Sequence, residues 1–214
     1  MKPQKILLIT ASLAGLLAGP MSAQDTGSPQ FVLRSPEVAD GGILPVEFTG
    51  DGSGATLPLE WDRVPVGTAS FAVIMDHVDP EGKTKWYWVL YNIPADVRSL
   101  PKNIKGVGVL GNNSVNGRTE YAPPHSKGPG EKTYIYTVYA LSAPPQLSVE
   151  PAQVSRDVLL EVVKDSILGR AELKVVYTRQ GGPGEDRGGR PPPPPAPEAN
   201  GNPPPPAGKS NAAS

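Results

Sequence analysis

Short apolar runs separated by clusters of turn-forming residues dominate the chain between about residues 30 and 179. The segments 43–48, 57–61, 70–75, 86–93, 132–141 and 172–178 are rich in β-branched and aromatic side chains and read as strands. Between them, Asp51-Gly52-Ser53-Gly54, Val66-Gly67-Thr68 and Pro80-Glu81-Gly82 supply the residues that tight turns require. In 133–139 strict alternation puts Tyr134, Tyr136 and Val138 on one face and Ile135, Thr137 and Tyr139 on the other. Both faces carry apolar surface, so this strand is expected at the centre of a sheet. The pattern changes period only once. Over 152–168, Val154, Val158 and Val162, with Leu159, Val163 and Ile167, recur at three- and four-residue spacing, which predicts a helix that Gly169 terminates. Many strands with one late helix predict a mainly β fold, an antiparallel β-sandwich with one or two peripheral helices and with ligand sites among the loops at one end.

The two ends break this pattern. Lys2 and Lys5 precede an apolar run over 6–18 and a small-residue stretch ending near Ala23, the signature of an export signal in residues 1–23. Gly15, Gly19 and Pro20 interrupt the run, and a membrane helix needs roughly 20 apolar residues, so no integral membrane segment is expected after signal removal. At the other end, 181–214 contains Pro191 to Pro195 and Pro203 to Pro206 and has too few apolar side chains to build a core; it reads as a disordered, proline- and glycine-rich tail. The remaining 24–180 is long enough for one domain with a real core. A chain without cysteine uses no disulfides in the periplasm or outside the cell, where the signal would take it, so packing must hold it together. Twenty basic and twenty-one acidic side chains give a net charge of −1, which removes a global attraction to nucleic acid or an anionic membrane. Any recognition of charge must be local.

Within 30–179 the residues resemble the phosphatidylethanolamine-binding, or Raf kinase inhibitor-like, family. Phe48-Thr49-Gly50-Asp51-Gly52, followed by Leu57-Pro58-Leu59-Glu60-Trp61, is similar to the family's Thr-Cys-Asp-Gly turn and Ser-Pro-x-Leu-x-Trp strand. Trp86-Tyr87-Trp88-Val89-Leu90-Tyr91-Asn92-Ile93-Pro94 resembles the next signature strand, and Tyr121-Ala122-Pro123-Pro124 with 134–141 resembles the Pro-Pro loop and its aromatic strand. Residues 167–173 match the family's closing junction.

The resemblance implies a shallow pocket for a small anionic ligand, built from an aspartate, two histidines, aromatic walls and loop amides. This chain departs from it in the chemistry. His77 stands where the first aspartate of the Asp-Pro-Asp signature is expected, Asp79 keeps the second, and Tyr87 replaces the histidine before the signature tryptophan. The later Gly-Pro-His-Arg-Tyr histidine has no counterpart in 128–134. Yet both histidines of the chain, His77 and His125, fall in pocket signatures. The candidate ligand-binding set is therefore His77, Asp79, Trp86, Tyr87, Tyr121, Pro123, Pro124, His125, Gly128 and Tyr134, with Lys127 or Lys132 adding positive charge. An imidazole in place of a carboxylate favours an anion. For His77 a turn-capping or salt-bridged role beside Asp76 and Asp79 is the alternative; for His125 it is an exposed loop residue. Trp86 and Trp88, two apart, are expected on one face and Tyr87 on the other, with Trp86 as the pocket wall; Tyr121 either donates to a ligand or packs on Pro123.

Catalysis has little in its favour. No Gly-x-Ser-x-Gly or His-Glu-x-x-His pattern occurs, so no catalytic residue and no cofactor or metal is expected; a zinc site from His77, Asp79 and His125 or a histidine-based hydrolase is the lesser reading. Regulation of an extracytoplasmic protein partner, such as a protease, is the alternative to small-ligand binding.

Overall fold

The structure, a computed structural model, describes residues 30–125 and 130–179; the export signal and proline-rich segment expected at the two ends, together with Lys127 and Gly128, lie outside them. Two sheets form. β1 (Val32–Arg34), β3 (Leu59–Asp62) and β6 (Ser99–Leu100) make a small antiparallel sheet in the order β1-β3-β6. β2 (Gly42–Ile43), β4 (Ser70–Val78), β5 (Thr84–Pro94), β7 (Val109–Leu110), β8 (Glu131–Leu141) and β9 (Ile167–Thr178) make a large one in the order β2-β9-β8-β4-β5-β7. All neighbours in the large sheet run antiparallel except β2 and β9.

As its two-sided pattern predicts, β8 lies inside the sheet between β4 and β9. Tyr134, Tyr136, Val138 and Ala140 face the small sheet, where Leu33, Leu59, Trp61 and Leu100 meet them in the main core. Tyr139 and Leu141 face the other way, into a second core with Ala72, Ile74, Val89 and Tyr91. The helix α1 (Arg156–Val163) covers that second face with Leu159 and Val163. The result is three layers, small sheet, large sheet and helix.

Two expectations about local structure need correction. The predicted strand over 43–48 survives only as β2, because Pro45, which has no N–H to offer a ladder, opens a 3₁₀ turn over Val46–Phe48. The predicted helix over 152–168 is shorter. A 3₁₀ turn at Pro151–Gln153 precedes it, Ser155 caps α1 by accepting the Val158 N–H at 3.2 Å, and Ser166 closes the far end by donating its N–H to the Val163 carbonyl at 2.8 Å. Ile167 then pairs with Leu141 in β9, so the sheet takes residues that fit either period. Gly169 does not end the helix; it sits in β9 opposite Ala140, where a Cβ would come within 2.9 Å of Pro65 Cγ. Ser155→Ala is expected to cost about 1 kcal/mol in chemical denaturation, with most of it restored by Ser155→Asp; no loss would show that packing alone holds α1.

Candidate functional site

The β4–β5 hairpin builds one side of a cavity of about 570 Å³. Its turn is fixed by Asp79: the carboxylate Oδ1 accepts the Glu81 N–H at 3.1 Å and the Lys83 N–H at 2.8 Å, while Gly82 takes the positive φ of 80° that the reversal requires. Counting back from the turn, Val78 pairs with Thr84 and His77 with Lys85, so the imidazole and the ammonium stem enter the same mouth from adjacent strands. Lys85 Nζ lies 3.8 Å from Asp79 Oδ2, which leaves that carboxylate committed to the turn and to one lysine.

His77 is buried, only 6% exposed, and its orientation is set from β8. Its Nδ1 lies 2.8 Å from the Thr133 carbonyl, and since a carbonyl only accepts, Nδ1 carries the proton and donates it. Nε2 is the ring nitrogen left to meet a ligand. Neither a turn cap nor a salt bridge holds this histidine: Asp76 is taken by Arg156 at 2.8 Å on the other face of the sheet. Beneath the cavity lies Tyr134, fully buried, with the His77 ring 5.3 Å and the Tyr87 ring 5.3 Å from its own centre, the latter edge-on. Tyr134 is thus a floor to the two lining rings and not part of the lining itself.

The opposite wall comes from the Pro-Pro loop and β8. Pro123, His125 and Lys132 line the cavity, and Ser114 and Val115 close a third side. Ser114 is held by a reciprocal pair with the Trp86 backbone, Trp86 N–H to Ser114 Oγ at 2.8 Å and Ser114 Oγ–H to the Trp86 carbonyl at 3.0 Å. Pro124 is buried behind the loop, where its carbonyl accepts the Gly50 N–H at 2.9 Å.

Of the expected residues, His77, Asp79, Tyr87, Pro123 and His125 come together around one cavity, and Lys132 joins them. Trp86 does not. A β-bulge between Met75 and Asp76 sets Met75 opposite Trp88 and Asp76 opposite Trp86, leaving Tyr87 as the extra residue. The alternation slips there: Tyr87 and Trp88 both face the main core, while Trp86 turns to the helix side and gives its indole N–H to the Asn112 carbonyl at 3.1 Å. Tyr121 does not line the cavity either. It packs edge-on against Trp88, 5.5 Å between ring centres, and burial pushes its hydroxyl well above the ordinary phenol range. Lys85, Glu81, Ser114 and Val115 line the cavity without having been singled out; Lys85 was findable by counting back from the turn, whereas Ser114 and Val115 arrive from a loop with no signature. Among the described residues no group of three or more histidines, cysteines and acids is placed to hold a metal.

The order of these pieces, hairpin, acidic turn, Pro-Pro loop and central aromatic strand, matches one family over residues 34–178. The chain belongs to the phosphatidylethanolamine-binding protein family. Relatives of this family that it resembles include the UPF0098 protein of Methanothermobacter thermautotrophicus, 34% identical over 69% of this chain and 98% of the relative. The UPF0098 protein YbhB of Escherichia coli is 41% identical over 51% of this chain and 77% of its own length. In three dimensions it resembles a phosphatidylethanolamine-binding protein homolog from Chlamydia trachomatis, with a TM-score of 0.65 at 25% identity over 71% of this chain and 99% of that one. It also resembles Escherichia coli YbcL, described as a member of the mammalian family, with a TM-score of 0.64 at 27% identity over 71% of this chain and all of that one. The mainly β sandwich and the ligand-binding character of the family are therefore those of this protein. Among the described residues no helix is long and apolar enough to cross a membrane.

Proposed function

We propose that this member of the phosphatidylethanolamine-binding protein family is an exported, non-catalytic protein that holds a small anion bearing phosphate-like oxygens in the His77 cavity. The observation that carries the reading is the fixed His77 ring: Nδ1 is spent on the Thr133 carbonyl, so protonation at Nε2 turns the cavity-facing nitrogen from an acceptor into a charged donor. Lys85, Lys132 and His125 line the same space, a density of cationic and donor groups suited to several oxygens at once. One ring nitrogen of each histidine is spent away from any nucleophile, on the Thr133 carbonyl for His77 and on Asp51 for His125. The signal-like residues 1–23, and a relative from Mycobacterium tuberculosis named as lipoprotein LppC and 30% identical over 118 residues, support export.

Thermal melts with sulfate, phosphate, phosphoethanolamine and zinc test the reading. A ligand at about 100 times its Kd adds roughly 2.7 kcal/mol of stability, and His77→Gln is expected to abolish most of the shift given by the anions. Stabilisation by zinc alone would replace the anion reading with a metal one. Sulfate carries no proton of its own near neutrality, so a shift with sulfate reports the groups of the protein alone. The charged and titratable groups that line the cavity with His77 are His125, Lys85, Lys132, Tyr87, Asp79 and Glu81. A sulfate shift that survives His77→Gln unchanged would remove His77 from the site.

A further inference from the structure

Behind His125, outside the cavity lining, one carboxylate gathers three side chains. Asp51 Oδ1 lies 2.9 Å from His125 Nε2 and accepts Arg179 Nε–H at 3.2 Å, while Oδ2 accepts the Tyr177 hydroxyl at 2.6 Å. The partners come from distant places. Asp51 belongs to the turn after the first 3₁₀ segment, His125 to the Pro-Pro loop, Tyr177 to the last residues of β9, and Arg179 follows β9 directly at the root of 180–214.

The two loops are also joined by packing. The Gly50 N–H meets the Pro124 carbonyl at 2.9 Å, and a Cβ on Gly50 would stand 2.6 Å from His125 Cβ and 2.7 Å from its Cγ. His125 therefore rests on bare backbone and is aimed by Asp51. Three donors on two oxygens fix the rotation of that carboxylate, so it serves as a rigid bracket for the imidazole. The Tyr177 hydroxyl above all, with Arg179 and His125, holds the Asp51 carboxyl below the usual carboxylate range against the opposing effect of burial, so the bracket stays anionic. A lone carboxylate behind His125 would repel an anion in the cavity. Arg179 cancels that charge.

We propose that Asp51 couples the anion cavity to the root of the C-terminal segment: the grip of Arg179 and Tyr177 on its carboxylate aims His125 and neutralises the charge behind it, so drawing Arg179 away lowers affinity for anions. Any partner that engages the residues after Arg179 then acts on the cavity through a single side chain. This rests on the anion-binding reading above, and its test separates the two.

In the full-length chain, Arg179→Gln is expected to weaken sulfate binding by about fivefold or more, the lower end of the range for coupled sites. It is also expected to shift the His125 ring resonances in NMR spectra recorded without any ligand. Arg179→Lys restores much of the affinity, because it returns the charge without the fork. In the Asp51→Asn background the Arg179→Gln effect on sulfate disappears, since the charge it cancels is gone. Additive effects in that double variant, or an Arg179→Gln protein with unchanged His125 resonances, would overturn the coupling. If the wild type binds neither sulfate nor phosphate, the anion reading fails, and the ligand-free His125 resonances still decide whether Arg179 governs the ring.

Discussion

Phe71→Ala is expected to destabilise the protein by about 3–5 kcal/mol, the cost of removing a large aromatic side chain from a site that cannot collapse. Phe71 is fully buried in β4, in the core that the large sheet shares with the small one. Its ring centre lies 5.2 Å from that of Trp61 on the small sheet and 6.5 Å from that of Phe31, and the Arg98 guanidinium carbon stands 5.5 Å from it on the ring face. Truncation removes the apolar contact, the tilted ring pairs and the cation–π contact together. For a domain of this size the loss corresponds to a fall in Tm of roughly 10 °C or more. Phe71→Leu keeps the apolar contact and is expected to cost far less. A urea series in which the alanine variant loses under about 1 kcal/mol would mean that the sheets can close over the gap.

The second large effect is on the other face of the large sheet. Arg156→Ala is expected to cost about 2 kcal/mol, less than the roughly 3–5 kcal/mol for breaking a fully buried pair, because both side chains retain some solvent. The guanidinium Nε lies 2.8 Å from Asp76 Oδ2, and Asp76 is 13% exposed against 25% for Arg156. Arg156 is the first residue of α1, so this contact ties the helix to β4 beside the bulge. Removing the arginine strands a mostly buried carboxylate; removing both charges does not. The double variant Asp76→Ala/Arg156→Ala is therefore expected to be less destabilised than the sum of the single changes by at least about 0.5 kcal/mol. Strict additivity in urea melts would show that the pair is incidental to docking of the helix.

The periodicity of the chain reached the layers before the details. β8 was legible as a central strand because both of its faces are apolar, and Tyr134, Tyr136 and Tyr139 are all buried there. The pocket histidines were legible because only two exist and both stand in recognisable segments. Trp86 was misplaced for a specific reason: alternation is a rule about unbroken ladders, and a bulge is set by the partner strand, which a local pattern does not contain. The helix was overextended because Ile167 fits a helical stripe as well as a strand, and pairing with Leu141 decides between them. The Asp51 cluster was invisible in the sequence, since its members are separated by up to 128 residues and no local pattern ties Tyr177 and Arg179 to Asp51 and His125.

The strand order has a consequence for how the chain acquires this shape. β4 and β5 are joined by a tight turn and can pair as soon as both exist, and β8 and β9 are joined through the segment that carries α1. The seam between β4 and β8 joins these two units, with Val73 opposite Val138 and Met75 opposite Tyr136. Such non-local pairing is slow, with folding times from milliseconds to seconds for β-rich topologies. A chain growing from its N-terminus thus carries β4, apolar on both faces, with one edge unpaired until residues 131–141 are available to close it. Until the two hairpins dock, an apolar strand with an open edge is a ready template for pairing with another copy of itself.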